Sequence, residues 1–419
     1  MRLNEDDLYR QSTQYKHWSF TPSDLTRLRQ KTNAHAATQV KLHIAQDRVE
    51  RAKLATLDVA SAPESGADTP NGNGAGTGAN TPVPGGAGDK GGEVDCLTTE
   101  EENMVVDKFC ETAMKLGDFL KLQPDVTATA IQFMRRFYLY NSPMTYDGTK
   151  ISKTAFFLAL KLELGTRAGS ASDFASRLPK TSRDDIVAPE YTIVQALRFN
   201  FEVRHPFRGL KGVHLELEDM IRGNYAVAHD GRTPAELRGE ALQALEVAEE
   251  EEAATKLGNI YAHTKDILTM AAQLTDAYFL YTPSQILLAA HLLASPALTT
   301  FYLATKIPSS SPASTKILST LQSCADLLSS HRSYSKNPAQ HKLAWADGDP
   351  PATKKAMKKL RGCKDPTTQD LVALNAGKKR DVVRDGTLEE GKAKRRKLNR
   401  ETAEKENDAF WGPELKKEG

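Results

Sequence analysis

An all-α fold of two successive five-helix sets is what the sequence predicts, with an extra N-terminal helix, a disordered insert and a disordered tail. Three observations carry this. Apolar residues recur at helical rather than alternating spacing through almost every segment able to build a core. Two stretches, TAFFLALKLELG at 154–165 and ILLAAHLLA at 286–294, are apolar on all sides, the pattern of a central helix surrounded by others. Each is the third helix of its set, and they superpose at an offset of 130 residues, which places Phe156, Ala159 and Lys161 on Ile286, Ala289 and His291.

Taken in order, Thr21-Pro22-Ser23-Asp24 caps a long polar helix with sparse apolar positions. It is too thin to fold alone, so residues 1–58 are expected to pack on the core. Residues 59–96 hold a run rich in Gly, Pro, Ala, Asn and Thr that cannot offset its ordering entropy, a disordered insert. The first set occupies 97–203. Thr98 to Glu101 resembles a capping box, opening a helix to about Leu120 that buries Val105, Phe109 and Phe119. Pro124 opens a second helix that Asn141-Ser142-Pro143 ends, and Gly165 stops the third. A short fourth, SASDFASRL, and a fifth near 188–200 follow.

The second set occupies 204–332. Pro206 opens its first helix, to about Met220, and a polar, Glu-rich insertion covers about 222–252. A helix at 253–277 leads to Thr282-Pro283-Ser284-Gln285, which caps the apolar third helix. Helices at 296–306 and 312–330 complete the set, and 333–419 reads as a mostly disordered basic tail.

Composition excludes more than it suggests. A formal charge of +2 does not mark the whole chain as a nucleic-acid binder, yet its cations cluster late. One cluster is Lys354, Lys355, Lys358 and Lys359; the other, Lys392, Lys394, Arg395, Arg396 and Lys397, resembles a nuclear localisation signal, with a solvated tail as the plainer alternative. Four cysteines lie far apart with no CxxC pair, against a zinc site or disulfide scaffold and for a reducing compartment. No run of about eighteen apolar residues occurs, and MRLNEDDLYRQ is unlike a signal or transit peptide, so a soluble intracellular protein is expected. No phosphate loop, HExxH, GxSxG or kinase signature is present; no catalytic residue, metal or cofactor is expected.

Three stretches carry a family resemblance. LTDAYFLYTPSQILLAAHLLAS at 274–295, YKHWSF at 15–20 and RRFYLYNSPM at 135–144 are similar to the cyclin H family. The resemblance implies tandem cyclin-box repeats and a regulatory subunit of the CDK-activating kinase. It further implies a trimer with a RING-finger assembly factor, membership of transcription factor IIH and a nuclear location. Substrates of the assembly would be the RNA polymerase II C-terminal repeats and the activation loops of other cyclin-dependent kinases. In that family a lysine ending the third helix and a glutamate on the fifth hold the kinase's C-helix. Lys161 and Glu190 match them, 29 residues apart as the family has them. By the same resemblance Ala159, Leu162, Val194, Phe199 and Phe201 would meet the kinase, while Leu197 points into the core. The family often has a second acid where Leu164 stands, leaving only Glu163 after the lysine. Pro189 implies that the fifth helix starts late, with Glu190 in its first turn.

Plainer readings stand beside these. Lys161 could serve only to complement a helix C-terminus, its stem snorkelling to water, and His291 reads as a structural helix-end histidine. Another transcription-associated cyclin, or a transcription factor IIB-like nucleic-acid module of the same two-repeat fold, are the alternative functions. The folded core lacks an obvious basic stripe and the cation clusters fall in the tail, so neither direct nucleic-acid binding nor a membrane partner is expected.

Overall fold

Capping chemistry sets the helix boundaries in the computed structural model, which describes residues 5–60, 93–225, 231–307, 311–337 and 348–375. The N-terminal helices are α1 (Glu5–Gln11), α2 (Thr13–Trp18) and the 39-residue α3 (Pro22–Ala60). The first repeat follows as α4 (Thr99–Phe119), α5 (Pro124–Tyr138), α6 (Gly148–Leu164), α7 (Ala171–Ser176), α8 (Arg183–Val187) and α9 (Glu190–Ala196). The second comprises α10 (Leu210–Ile221), α11 (Pro234–Leu245), α12 (Glu250–Thr269), the short α13 (Ala271–Leu274) and α14 (Ala277–Leu280), α15 (Pro283–Ala294), α16 (Pro296–Lys306) and α17 (Pro312–Ser330). Last comes α18 (Pro351–Gly362); these all belong to one compact unit, Met1–Gln369. In the second unit, residues 370–375 form a single helical turn capped by Asp370, whose carboxylate accepts from Ala373 N–H at 2.9 Å.

Capping boxes start α4 (Thr98 with Glu101), α7 (Ser170 with Asp173), α8 (Ser182 with Asp185), α11 (Thr233 with Glu236) and α15 (Thr282 with Gln285). In the middle of the first repeat lie α5 and α6. The buried side of α6 includes Phe156, Phe157, Leu158 and Leu160, and every residue of α5 from Val126 to Tyr138 is buried, polar ones included. At the start of α6 only glycine fits: a Cβ on Gly148 would lie 2.1 Å from the Phe109 ring.

Several expectations need correction. Phe119 is 68% exposed; Leu120, eleven residues beyond Phe109, continues the buried face of α4. Breaks at Met270 and at Thr275-Asp276 divide the helix expected at 253–277 into α12, α13 and the start of α14. The insertion at 222–252 holds α11, whose Leu237, Ala241 and Leu245 form a buried stripe at i, i+4 and i+8, on a helix packed with α10 and α16. Its many glutamates masked that stripe. Residues 93–96, placed in the disordered insert, already lie against α3, where Glu93 pairs with Lys41 at 2.7 Å and Cys96 is half-buried. Residues 61–92 lie outside the described residues.

The tail is the largest correction. Residues 348–369 are folded: α18 buries Thr353, Ala356 and Leu360 against α4, and Cys363 and Asp365 are buried beyond it. Thr353, Ala356 and Leu360 sit at helical spacing among lysines, a thin apolar stripe suited to docking rather than to an independent core. Ion pairs fix it in place, Lys108 with Asp349 at 2.5 Å, Lys359 with Asp95 and Glu101 at 2.8 Å and Lys364 with Asp147 at 2.6 Å, and His43 Nδ1 lies within hydrogen-bond distance of the Asp365 carboxylate, at 3.0 Å. Asp365 N–H donates to the Met144 carbonyl at 2.9 Å.

One polar cluster ties the N-terminal helix to both repeats. Buried Arg135 of α5 donates to Asp107 at 3.0 Å, to the Leu274 carbonyl at 3.0 Å and to Asp276 at 2.7 Å. Arg29 of α3 donates to both Asp276 oxygens, at 2.8 and 2.6 Å. Burial alone would raise the Asp276 carboxyl, but Arg29 and Arg135 override it and hold the group below the usual carboxylate range. The neighbouring Arg136 stacks 5.0 Å from the Trp18 ring centroid and donates to the Glu202 carbonyl at 3.0 Å. This connects α2, α5 and the chain leaving the first repeat.

Candidate functional site

Burial along α6 stops where the charge begins. Ala155 to Leu160 are buried, then Lys161 is exposed and Gly165, at φ 57°, closes the helix. The Lys161 ammonium pairs with Glu190 and lies 4.5 Å from the Phe157 ring centroid, so its stem is held over an aromatic face. Glu190 is the first residue of α9, directly after Pro189, where a carboxylate complements the helix start. A lysine and a glutamate 29 residues apart thus meet at the junction of α6 and α9, which pack together.

After α9 the backbone takes an unusual path. Leu197 is buried, while Arg198 and Phe199 take left-handed φ values of 54° and 58° in succession. Such a conformation costs a residue with a Cβ about 1–2 kcal/mol. It is held by Phe199 N–H donating to the Val194 carbonyl at 3.1 Å, by Asn200 Nδ2 donating to the Arg198 carbonyl at 2.9 Å, and by the Arg198 guanidinium 4.6 Å from the Tyr140 ring centroid. The outcome is that Phe199 stands 62% exposed, whereas Phe201 turns back to lie 6.3 Å from Phe133 in an edge-on contact.

The expected site residues therefore divide. Lys161, Glu190, Leu162 (46% exposed) and Phe199 reach the surface, and Val194 and Phe201 are half-buried against the core. Ala159 is fully buried, so it supports the site from below and is withdrawn as a contact. Leu164 also packs on the core, which suits an apolar residue at that position. Tyr191, 66% exposed beside Glu190, was missed: a single large aromatic between a glutamate and a threonine carries no periodic signal.

Glu163 serves a different purpose from Lys161. It accepts from the Thr129 hydroxyl at 2.8 Å and from Arg208 at 3.2 Å, and Thr129 also meets His205 Nε2 at 2.9 Å. His205 Nδ1 in turn lies 3.1 Å from the Tyr278 hydroxyl. Burial, reinforced by Arg208 and Arg136, pushes the His205 pKa down to about 3, so the ring is neutral in this chain of contacts. The end of α6 is thereby tied to the second repeat. In the second repeat, His291 at the position matching Lys161 is buried, its Nδ1 2.7 Å from Thr299 Oγ1, a structural role as expected. Burial and the nearby His214 lower its pKa to about 4.

Among the described residues no group of three His, Cys, Asp or Glu could hold a metal ion, and no helix is long and apolar enough to cross a membrane. The cluster Lys392, Lys394, Arg395, Arg396 and Lys397 lies outside the described residues.

The chain is similar to known cyclins. Residues 205–329 match the cyclin C-terminal domain family. The chain is 30% identical over 312 residues to the cyclin CCL1 of Saccharomyces cerevisiae, an alignment covering 74% of this chain and 63% of that protein, so it spans less than two thirds of this relative's length. Among solved structures, a chain of the CAK complex from Chaetomium thermophilum bound to ATP-gamma-S matches with a TM-score of 0.66 and 27% identity, covering 92% of this chain and 98% of that one. A chain of the yeast TFIIK (Kin28/Ccl1/Tfb3) complex matches with a TM-score of 0.50 and 26% identity, covering 76% and 100%.

Proposed function

We propose that this chain, a member of the cyclin H family, is the non-catalytic regulatory subunit of a cyclin-dependent kinase of the CDK-activating type. The observation that carries the reading is the Lys161–Glu190 pair at the junction of α6 and α9, with Leu162 following the lysine and Tyr191 and Phe199 exposed on and just after α9. Among the described residues the ammonium has protons left for carbonyl oxygens at the end of a partner helix, and the carboxylate has an oxygen left for a partner donor. The charges set register and orientation while the apolar residues supply most of the affinity. Binding holds the kinase's C-helix inward, completes its Lys–Glu ion pair and shifts the kinase towards its active population.

The wider setting comes from the same kinship. The family resemblance implies a RING-finger assembly factor as third subunit, and the yeast TFIIK complex, with its components Kin28, Ccl1 and Tfb3, supports a three-subunit assembly. The assembly works in the nucleus within transcription factor IIH on the RNA polymerase II C-terminal repeats and on other cyclin-dependent kinases, with Lys392 to Lys397 as import signal. Co-purification from cells with identification of the bound kinase tests the assignment directly. Calorimetry with Lys161→Glu tests the site: an affinity loss of about tenfold or more, with unchanged thermal unfolding, is expected. Unchanged affinity overturns it.

A further inference from the structure

The cluster of cations expected in a disordered tail sits instead on a folded helix. Residues 351–364, PATKKAMKKLRGCK, contain six cations and no acid. Two of the six are consumed inward: Lys359 by Asp95 and Glu101, and Lys364 by Asp147. The other four, Lys354, Lys355, Lys358 and Arg361, are exposed, and none has a carboxylate in ion-pair contact among the described residues. At about 100° per residue these four fall within an arc of about 120°, opposite the stripe of Thr353, Ala356 and Leu360 that docks α18. They run along about 10 Å of helix axis.

We propose that this face of α18 binds the phosphate backbone of duplex nucleic acid without reading sequence. The charges match: about 10 Å of duplex carries about six phosphate charges, more than the four cations supply. The surroundings favour a phosphate backbone over an acidic protein. Protein partners rely on buried apolar or aromatic anchors, and the exposed arc offers none; Met357, the one large apolar residue beside it, is half-buried against the core. A rigid row of cations docked on α4 keeps its spacing without the ordering cost that the same residues would incur in a flexible tail. The inference replaces the earlier expectation of no direct nucleic-acid contact, which assumed that these lysines were unstructured.

The test uses the full chain and a fluorescent duplex DNA of mixed sequence, with anisotropy followed through a salt titration. Four phosphate contacts give a slope of about −3.6 in log K against log salt, which is about a 150-fold loss of affinity between 50 and 200 mM. Combining Lys354→Ala, Lys355→Ala, Lys358→Ala and Arg361→Ala removes about that much slope, and Lys358→Ala with Arg361→Ala about half, with circular dichroism unchanged. Both effects persist when Lys392, Lys394, Arg395, Arg396 and Lys397 are also replaced by alanine. A four-fold variant that keeps the parental slope overturns the proposal. So does polyglutamate that displaces the DNA at equal charge concentration, which would make the face a site for acidic proteins.

Discussion

Replacing Phe199 by alanine separates binding from folding at the proposed kinase interface. A phenylalanine offers about 200 Å² of surface, and at 62% exposure about 120 Å² of Phe199 is available to a partner. At about 25 cal/mol per Å² its full burial contributes about 3 kcal/mol; alanine retains the Cβ, so the loss is about 2 kcal/mol, or about 30-fold in Kd. The free chain loses little. The ring is already mostly in water, and alanine at a φ of 58° bears the same left-handed penalty as phenylalanine. Phe199→Gly then serves as a second variant: it loses the same contact but also sheds about 1–2 kcal/mol of backbone strain, partly offset by the greater freedom of glycine in the unfolded chain. It therefore unfolds at the same temperature as Phe199→Ala or above it. Isothermal titration against a purified kinase of the CDK-activating type, paired with thermal unfolding of the free chain, reads both quantities. A Kd shift below about threefold would show that Phe199 is not buried by the partner. A large drop in unfolding temperature for Phe199→Ala would show that the ring supports the fold.

Two further outcomes follow from the buried polar groups. Asp276→Asn leaves Arg135 buried with half its compensation and should cost about 3–5 kcal/mol in denaturant unfolding; a loss under 1 kcal/mol would mean that desolvation cancels the pairing. The histidines His205 and His291, with pKa values lowered to about 3 and about 4, bind protons more readily unfolded than folded. Their contribution is intact above about pH 6.5 and is lost as the pH falls towards those values, at up to about 1.4 kcal/mol per pH unit for each ring. His205→Gln flattens that acid slope in a stability–pH series; an unchanged slope rules His205 out as its source.

Much of the fold could be read from local chemistry. Thr98 with Glu101, Thr282 with Gln285 and Gly165 act through neighbours in sequence, and they set helix ends where expected. Lys161 and Glu190 could be matched because a resemblance supplied the long-range information that periodicity lacks. What escaped notice depends on tertiary context. The apolar stripe of α11 is only three residues deep in glutamate-rich sequence, and that of α18 lies among lysines; both become visible only once a surface exists for them to pack on. Ala159 has the composition of a contact residue, but its depth depends on how the neighbouring helices surround α6. The left-handed pair Arg198 and Phe199 carries no glycine or asparagine to announce it at either position, so the exposure of Phe199 follows from a backbone path that sequence does not display.

The docking of α18 also bears on the order in which the chain can be completed as it is made. Asp147, which caps α6, is paired with Lys364, and the loop before it receives Asp365 N–H at the Met144 carbonyl. These contacts close a segment of more than two hundred residues, with the whole second repeat in between. During synthesis the second repeat has therefore already emerged before the first acquires its last packing surface. A chain cut short before residue 348 would carry both repeats and still leave the cap of its central helix, and the face of α4 beneath α18, open to solvent.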